Sequence, residues 1–168
     1  STNNEGNDLA AALFRGNSDV TLVNGIIATP NNECIRMNGS GTTPATLQAF
    51  SVAMQCNATK YLGSGSLTAT QVQTAFGSGA NNNNDAYTPS LTNLFISGTN
   101  ETAIVATNPK TIPGLASVFS DFPSFFDATN YIGAVKDAND GWYKGWTCNS
   151  TTADFGPDSK SCSAIPTA

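Results

Sequence analysis

Short apolar runs alternate with polar corners from Leu9 onward: AAALFRG (10–16), DVTLVNGIIAT (19–29) and CIRMNG (34–39). Successive strand side chains point to opposite faces, so Val20, Leu22 and then Ile26 or Ile27 fit inward positions. Asn24-Gly25 falls at a bend. Runs this short, separated by Gly-Asn or Pro-Asn-Asn, predict rungs of a parallel solenoid; a hairpin at Asn24-Gly25 is the alternative. Thr46–Cys56 is predicted as one strand, because Phe50, Val52, Met54 and Cys56 alternate on one face. Further along, Leu91–Ile96 reads as a strand or helical turn, Ala103–Thr107 as a weak strand and Tyr131–Val135 as a strand. Pro109, Pro113 and Pro123 limit regular structure between the last two.

One segment has helical signals instead. Thr68 and Gln71 fit a capping box, Leu67 and Val72 a hydrophobic staple, and Gly77 the position just past a helix end. A short amphipathic helix over about 68–76 is therefore expected on the β core. Gly77–Asp85, with its run of asparagines, reads as a solvated loop. The whole pattern predicts a mainly β fold: a short parallel β-helix-like or β-sandwich-like core with one capping helix. A single domain spans 1–168, with a polar arm (1–8), a β-rich core (9–120) and an aromatic C-terminal cap (121–168).

Composition narrows the setting. Charged residues make up 11% of the chain, against about 25% in ordinary domains. Hydrogen-bonding Asn, Ser and Thr replace them, as in extracellular β proteins. A net charge of −5 and no Lys/Arg stripe argue against nucleic acid as a partner. No apolar run is long enough for a membrane span. The chain begins at Ser1, without Met, which suggests a processed product or a fragment; a removed secretory leader is expected. Cys34, Cys56, Cys148 and Cys162 form no CxxC, and histidine is absent, so zinc is disfavoured and two disulfides are expected. Of three pairings, Cys34–Cys56 and Cys148–Cys162 are favoured, each joining neighbouring segments across a turn-rich loop.

The stretch Asp121–Cys148 concentrates the aromatic residues: Phe122, Phe125, Phe126, Tyr131, Trp142, Tyr143 and Trp146. Each can bury on the order of 150–250 Å². A folded cap is the expected use, with Trp142 and Trp146 mainly structural; an aromatic binding platform is the rival. The run FFDATNYIGAVKDANDGWYKGWTC resembles the C-terminal signature of secreted or lipoprotein-type bacterial surface proteins, mostly hypothetical, approximately FFD-x-V-x-YIGAV-(x)-W-x-x-GWT. It maps onto Phe125-Phe126-Asp127, Tyr131–Val135, Trp142 and Gly145-Trp146-Thr147. The upstream ALFRGNSDVTLVNGIIA is similar to that family's last rungs. The resemblance implies a right-handed parallel β-helix and a cell-surface location, with no catalytic residue attached. This chain lacks the long solenoid.

Candidate chemistry is sparse. Asp137, Asn139 and Asp140 resemble a calcium loop, but without the alternating spacing and distant glutamate such loops use. An ordinary turn is the preferred reading, so no cofactor is expected, with calcium the alternative. Asp121 with Asp127, and Asp137 with Asp140, are the nearest carboxylate pairs, and nothing in the sequence brings them to one cleft. Without histidine a Ser-His nucleophile is excluded. Asn38, Asn57, Asn100 and Asn149 begin Asn-x-Ser/Thr triplets, which mark glycosylation sites where the source glycosylates. The expected role is a non-enzymatic extracellular subunit of a bacterial surface or filament that assembles with copies of itself. A glycan-binding module using Trp142, Tyr143 and Trp146 comes second, and a fragment of a β-helix polysaccharide-degrading enzyme third.

Overall fold

A computed structural model describes residues 9–41, 43–115 and 125–164. Ser1–Asp8, Asp121, Phe122 and Pro123 lie outside the described residues. The protein is mainly β. Strands β1 (Ala12–Phe14), β2 (Asp19–Val23) and β3 (Ile26–Ala28) form a first triplet. Strands β4 (Ile35–Asn38), β5 (Thr46–Phe50) and β6 (Ala53–Gln55) form a second, and β7 (Tyr61–Ser64) follows. Each pairs in parallel with the strand three further along: β1-β4-β7, β2-β5 and β3-β6. No hairpin forms at Asn24. Its left-handed backbone (φ 53°) turns the chain between β2 and β3, and its N–H bonds to Phe50 O at 2.9 Å. A sandwich would need antiparallel sheets, and these three are parallel.

The predicted continuous strand Thr46–Cys56 is broken at Ser51, which is fully buried with φ 54°. That corner resets the alternation. Leu47 and Ala49 face the core in β5 while Phe50 is only half-buried, and both Ala53 and Met54 are buried beyond the corner. Ile35, Met37, Leu47, Ala49, Val52, Met54 and Tyr61 make one cluster with Val72 and Phe76 of helix α1 (Ala69–Phe76). The helix has the predicted capping box, with Gln71 N–H donating to Thr68 Oγ1 and Thr68 N–H to Gln71 Oε1. Gly77 takes the left-handed conformation that ends it (φ 66°).

Beyond Ser78 regular structure thins. Helix α2 (Thr99–Thr102), a 3-10 turn (Pro109–Thr111) and the parallel pair β8 (Cys148–Asn149) and β9 (Lys160–Ser161) are short. Leu91–Ile96 is a tight turn, with Asn93 and Leu94 left-handed and Thr92 bridged to Ile96. Ala103–Thr107 forms no strand; its backbone bonds to corner side chains instead, Val105 O accepting from Ser51 and Thr107 from Asn24. Tyr131–Val135 is not a strand either. Gly133 (φ 85°) interrupts it, donating its N–H to Asn24 O at 2.8 Å, where an added Cβ would lie 2.7 Å from Ile26 Cδ1. Cys34 is bonded to Cys56 and Cys148 to Cys162, the pairing favoured from spacing.

Candidate functional site

The two ends of the stacked strands differ. In the second triplet the inward residues Ile35, Met37, Leu47, Ala49 and Met54 are all buried. Their register partners Ala12, Phe14, Val20, Leu22 and Ile27 are only half-buried. Among the described residues no strand pairs with the other edge of β1, β2 or β3. Ser18 O and Asn24 N–H both bond toward β5. By the alternation of a parallel ladder, the N–H and C=O of Asp19, Thr21 and Val23 therefore face the free edge. Their outward side chains line an open groove of 540 Å³ with Gln48, Pro113 and Phe126.

The opposite edge is finished. Ser51 N–H bonds to Asn81 O at 2.8 Å, and Ala49 O accepts from Asn83 Nδ2 at 2.7 Å. Asn83 also accepts from Val52 N–H and donates to Phe76 O. It is 3% exposed, so the asparagine run is in part a buried edge cap and not simply a solvated loop. Helix α1 closes the core there through Val72 and Phe76.

The aromatic stretch divides. Tyr143 is buried, edge-on to Phe95 at 5.1 Å and near Phe155 at 6.0 Å. Ile132 and Val135 are buried too, as a cap requires. Trp142 is 60% exposed and Trp146 88%, which overturns the expectation that both indoles are core. The turn that projects them contains Gly145 (φ 83°), and Trp142 Nε1 donates to Ala134 O at 2.8 Å. That bond pins the ring at its edge. Of the three platform residues, Tyr143 is inside, leaving the two indoles; Phe125, paired edge-on with Phe126, is 79% exposed.

Two buried carboxylates escaped the sequence reading. Glu101 is 1% exposed and accepts from Tyr87 OH, Ser90 N–H (2.9 Å), Ser90 Oγ (2.6 Å) and Gly98 N–H (2.8 Å). Burial pushes its pKa up, yet these bonds outweigh burial and hold it at about 2. Asp85 accepts from Tyr61 OH and Ser78 Oγ, both at 2.8 Å, with Lys60 Nζ at 3.3 Å. Burial raises it, but those partners carry it below the usual range. Both tyrosines are pushed up, first by burial and then by the carboxylate each meets. Each carboxylate is an ionised acceptor that clips segments together. Glu101 lies three residues after Gly98, the helix-start spacing that could have flagged it.

The remaining candidates are dispersed. Asp137 Oδ1 accepts from Asn139 N–H and Asp140 Oδ2 from Lys136 N–H, so these carboxylates serve their own turn. No group of three or more Asp, Glu, His or Cys suited to a metal occurs among the described residues. Asn38 and Asn57 accept from the N–H of Ser40 and Thr59, and exposed Asn100 donates to Thr88 O. Asn149 is held by Gly156 O, Ser159 O and Phe155 N–H. No described helix is long and apolar enough to cross a membrane. Comparison with protein families, curated sequences and solved structures returns no match.

Proposed function

We propose that this chain is a secreted, non-enzymatic structural subunit that associates with copies of itself through the open edge of its first strand triplet. The supporting observation is the burial step between register partners: Phe14, Val20, Leu22 and Ile27 half-buried, Met37, Leu47, Ala49 and Met54 buried. Repeated parallel pairing of every third strand fits a short stretch of β-helix, two rungs and the start of a third among the described residues. A solenoid end that no described strand covers presents backbone donors, acceptors and an apolar cross-section, all of which a neighbour can cover. Two disulfides that use every cysteine fit an oxidising, extracellular setting. The resemblance of residues 125–148 to bacterial surface proteins points the same way. Sedimentation velocity over a wide concentration range tests the reading. Association that rises with concentration is expected, and a monomer throughout would remove it.

The exposure of Trp142 and Trp146 favours a second reading, glycan binding by stacking on the indoles. Here the expected result is a tryptophan fluorescence shift on titrating neutral polysaccharide, with binding measured by calorimetry lost in Trp142→Ala/Trp146→Ala. An unchanged spectrum across a panel of polysaccharides would remove this reading.

A further inference from the structure

We infer that the partner of the open edge is a second copy of the same edge, joined about a two-fold axis at Thr21, with β2 running antiparallel to β2 of the partner subunit. The inference rests on the self-association reading and gives it a geometry.

Backbone parity comes first. Asp19, Thr21 and Val23 present their N–H and C=O groups to the free edge. Antiparallel pairing centred on Thr21 would set Thr21 opposite its own copy and Asp19 opposite Val23. All three pairs are then hydrogen-bonded pairs, in which opposed residues exchange both bonds. Val20 falls opposite Leu22, and both side chains point inward, so the two half-buried cores meet as one. Any one-residue slip would break this match, because it turns inward side chains outward.

Charge agrees with parity. Asp19 is the sole ionisable residue in β1, β2 and β3. The pairing sets it against Val23 and leaves the two Asp19 residues about 14 Å apart, from a strand rise of about 3.4 Å per residue. That separation exceeds the screening length of about 8 Å at physiological salt. The two threonines at the axis form a favourable cross-strand pair.

The other end of the molecule excludes the head-to-tail alternative. A repeating stack would dock the open edge on the far edge of β5, whose Ala49 C=O and Ser51 N–H are already taken by Asn83 and Asn81. Helix α1 fills the space beyond. One open and one closed end give an isologous contact that stops at two copies.

Two variants test this on the full chain. Thr21→Cys places thiols across the axis at a Cα spacing of about 5.5 Å, inside the range a disulfide accepts. Under mild oxidation it should give a covalent dimer and nothing larger, while a control at exposed Thr152 (Thr152→Cys) stays uncoupled. Thr21→Pro removes one free-edge N–H and leaves the β5 ladder intact; it should sediment as a folded monomer at concentrations where the parent chain dimerises. Should Thr21→Pro fail to fold, the cross-link decides alone. Assemblies that grow past two copies, or dimers that neither variant affects, would overturn the two-fold geometry and leave self-association standing. A parent chain monomeric at every concentration overturns both.

Discussion

The stacked strands up to Phe76 and the C-terminal region from Phe125 use their hydrophobic residues in opposite ways. In the first, the inward side chains of the second triplet are buried: Ala49 is 2% exposed, Ile35 and Met54 0%. In the second, Trp146 is 88% exposed, while Tyr143, three residues earlier, is buried against Phe95. Size and hydrophobicity did not decide burial. Register did, because every inward residue of the second triplet has a partner strand before it and a strand, helix or asparagine cap after it. The C-terminal region has turns, one short strand pair and a disulfide, which order the backbone without surrounding each ring.

Core truncation should sharpen that contrast most. Met54→Ala removes a side chain with no exposure and should destabilise by about 2–5 kcal/mol in denaturant titration. A loss within 0.5 kcal/mol, about what a surface change gives, would break the comparison. Replacing Cys34 and Cys56 together by serine should cost about 3 kcal/mol, since the bridge closes a loop of 22 residues. Thermal melts under reducing and oxidising conditions check this independently of mutation.

Acid should reveal the Glu101 clamp, which ties Tyr87, Ser90 and Gly98 together in the segment between the two regions. Glu101 is held at about 2 when folded, against an ordinary 4.5. A depressed folded pKa means its contribution is complete above about 4.5 and is lost as pH falls through 2. The difference corresponds to on the order of 3 kcal/mol. Stability measured between pH 6 and pH 2 should therefore fall, with Asp85 adding in the same direction. Glu101→Gln should be less stable at neutral pH and show a shallower acid limb. The smallest effect is expected at Trp146: Trp146→Ala should change stability by less than about 0.5 kcal/mol. A large loss there would mean that the indole is covered in solution, as it would be inside an interface.

What could be read from the sequence was local. Thr68, Gln71 and Gly77 specify α1 within ten residues, and the cysteine spacing favours the two bridges found. The β periodicity was visible as well, since β2 alternates cleanly. The break at Ser51 was not, because serine carries no Gly-like preference for a left-handed turn, and what holds it there is distant in sequence: Asn81 O on its N–H, and Val105 and Thr107 on its hydroxyl. The Asp85 clamp joins Tyr61 across 24 residues, and the Glu101 clamp reaches back to Tyr87 across 14. Neither distance leaves a periodic signal. Asn83 read as loop because its duty is to three backbone groups set by the fold, in β5, the Ser51 corner and α1.

Asn24 carries a chemical-lifetime consequence. Its side chain donates to Thr107 O and Thr129 Oγ1 and accepts from Thr107 N–H, while its own carbonyl holds Gly133. One residue thus fastens two distant segments, at Thr107 and at Thr129–Gly133, and it belongs to an Asn-Gly pair, the sequence at which asparagine most readily ages to aspartate. We predict that conversion there would turn a donor into a carboxylate oxygen facing the Thr107 carbonyl, leaving that acceptor unpaired and loosening Thr107 and Thr129 from the corner between β2 and β3. Peptide mass mapping of protein stored at mildly alkaline pH, set beside limited proteolysis, checks it: converted molecules should be cut first beside Thr107 or Thr129, and equal resistance in both forms would refute the link.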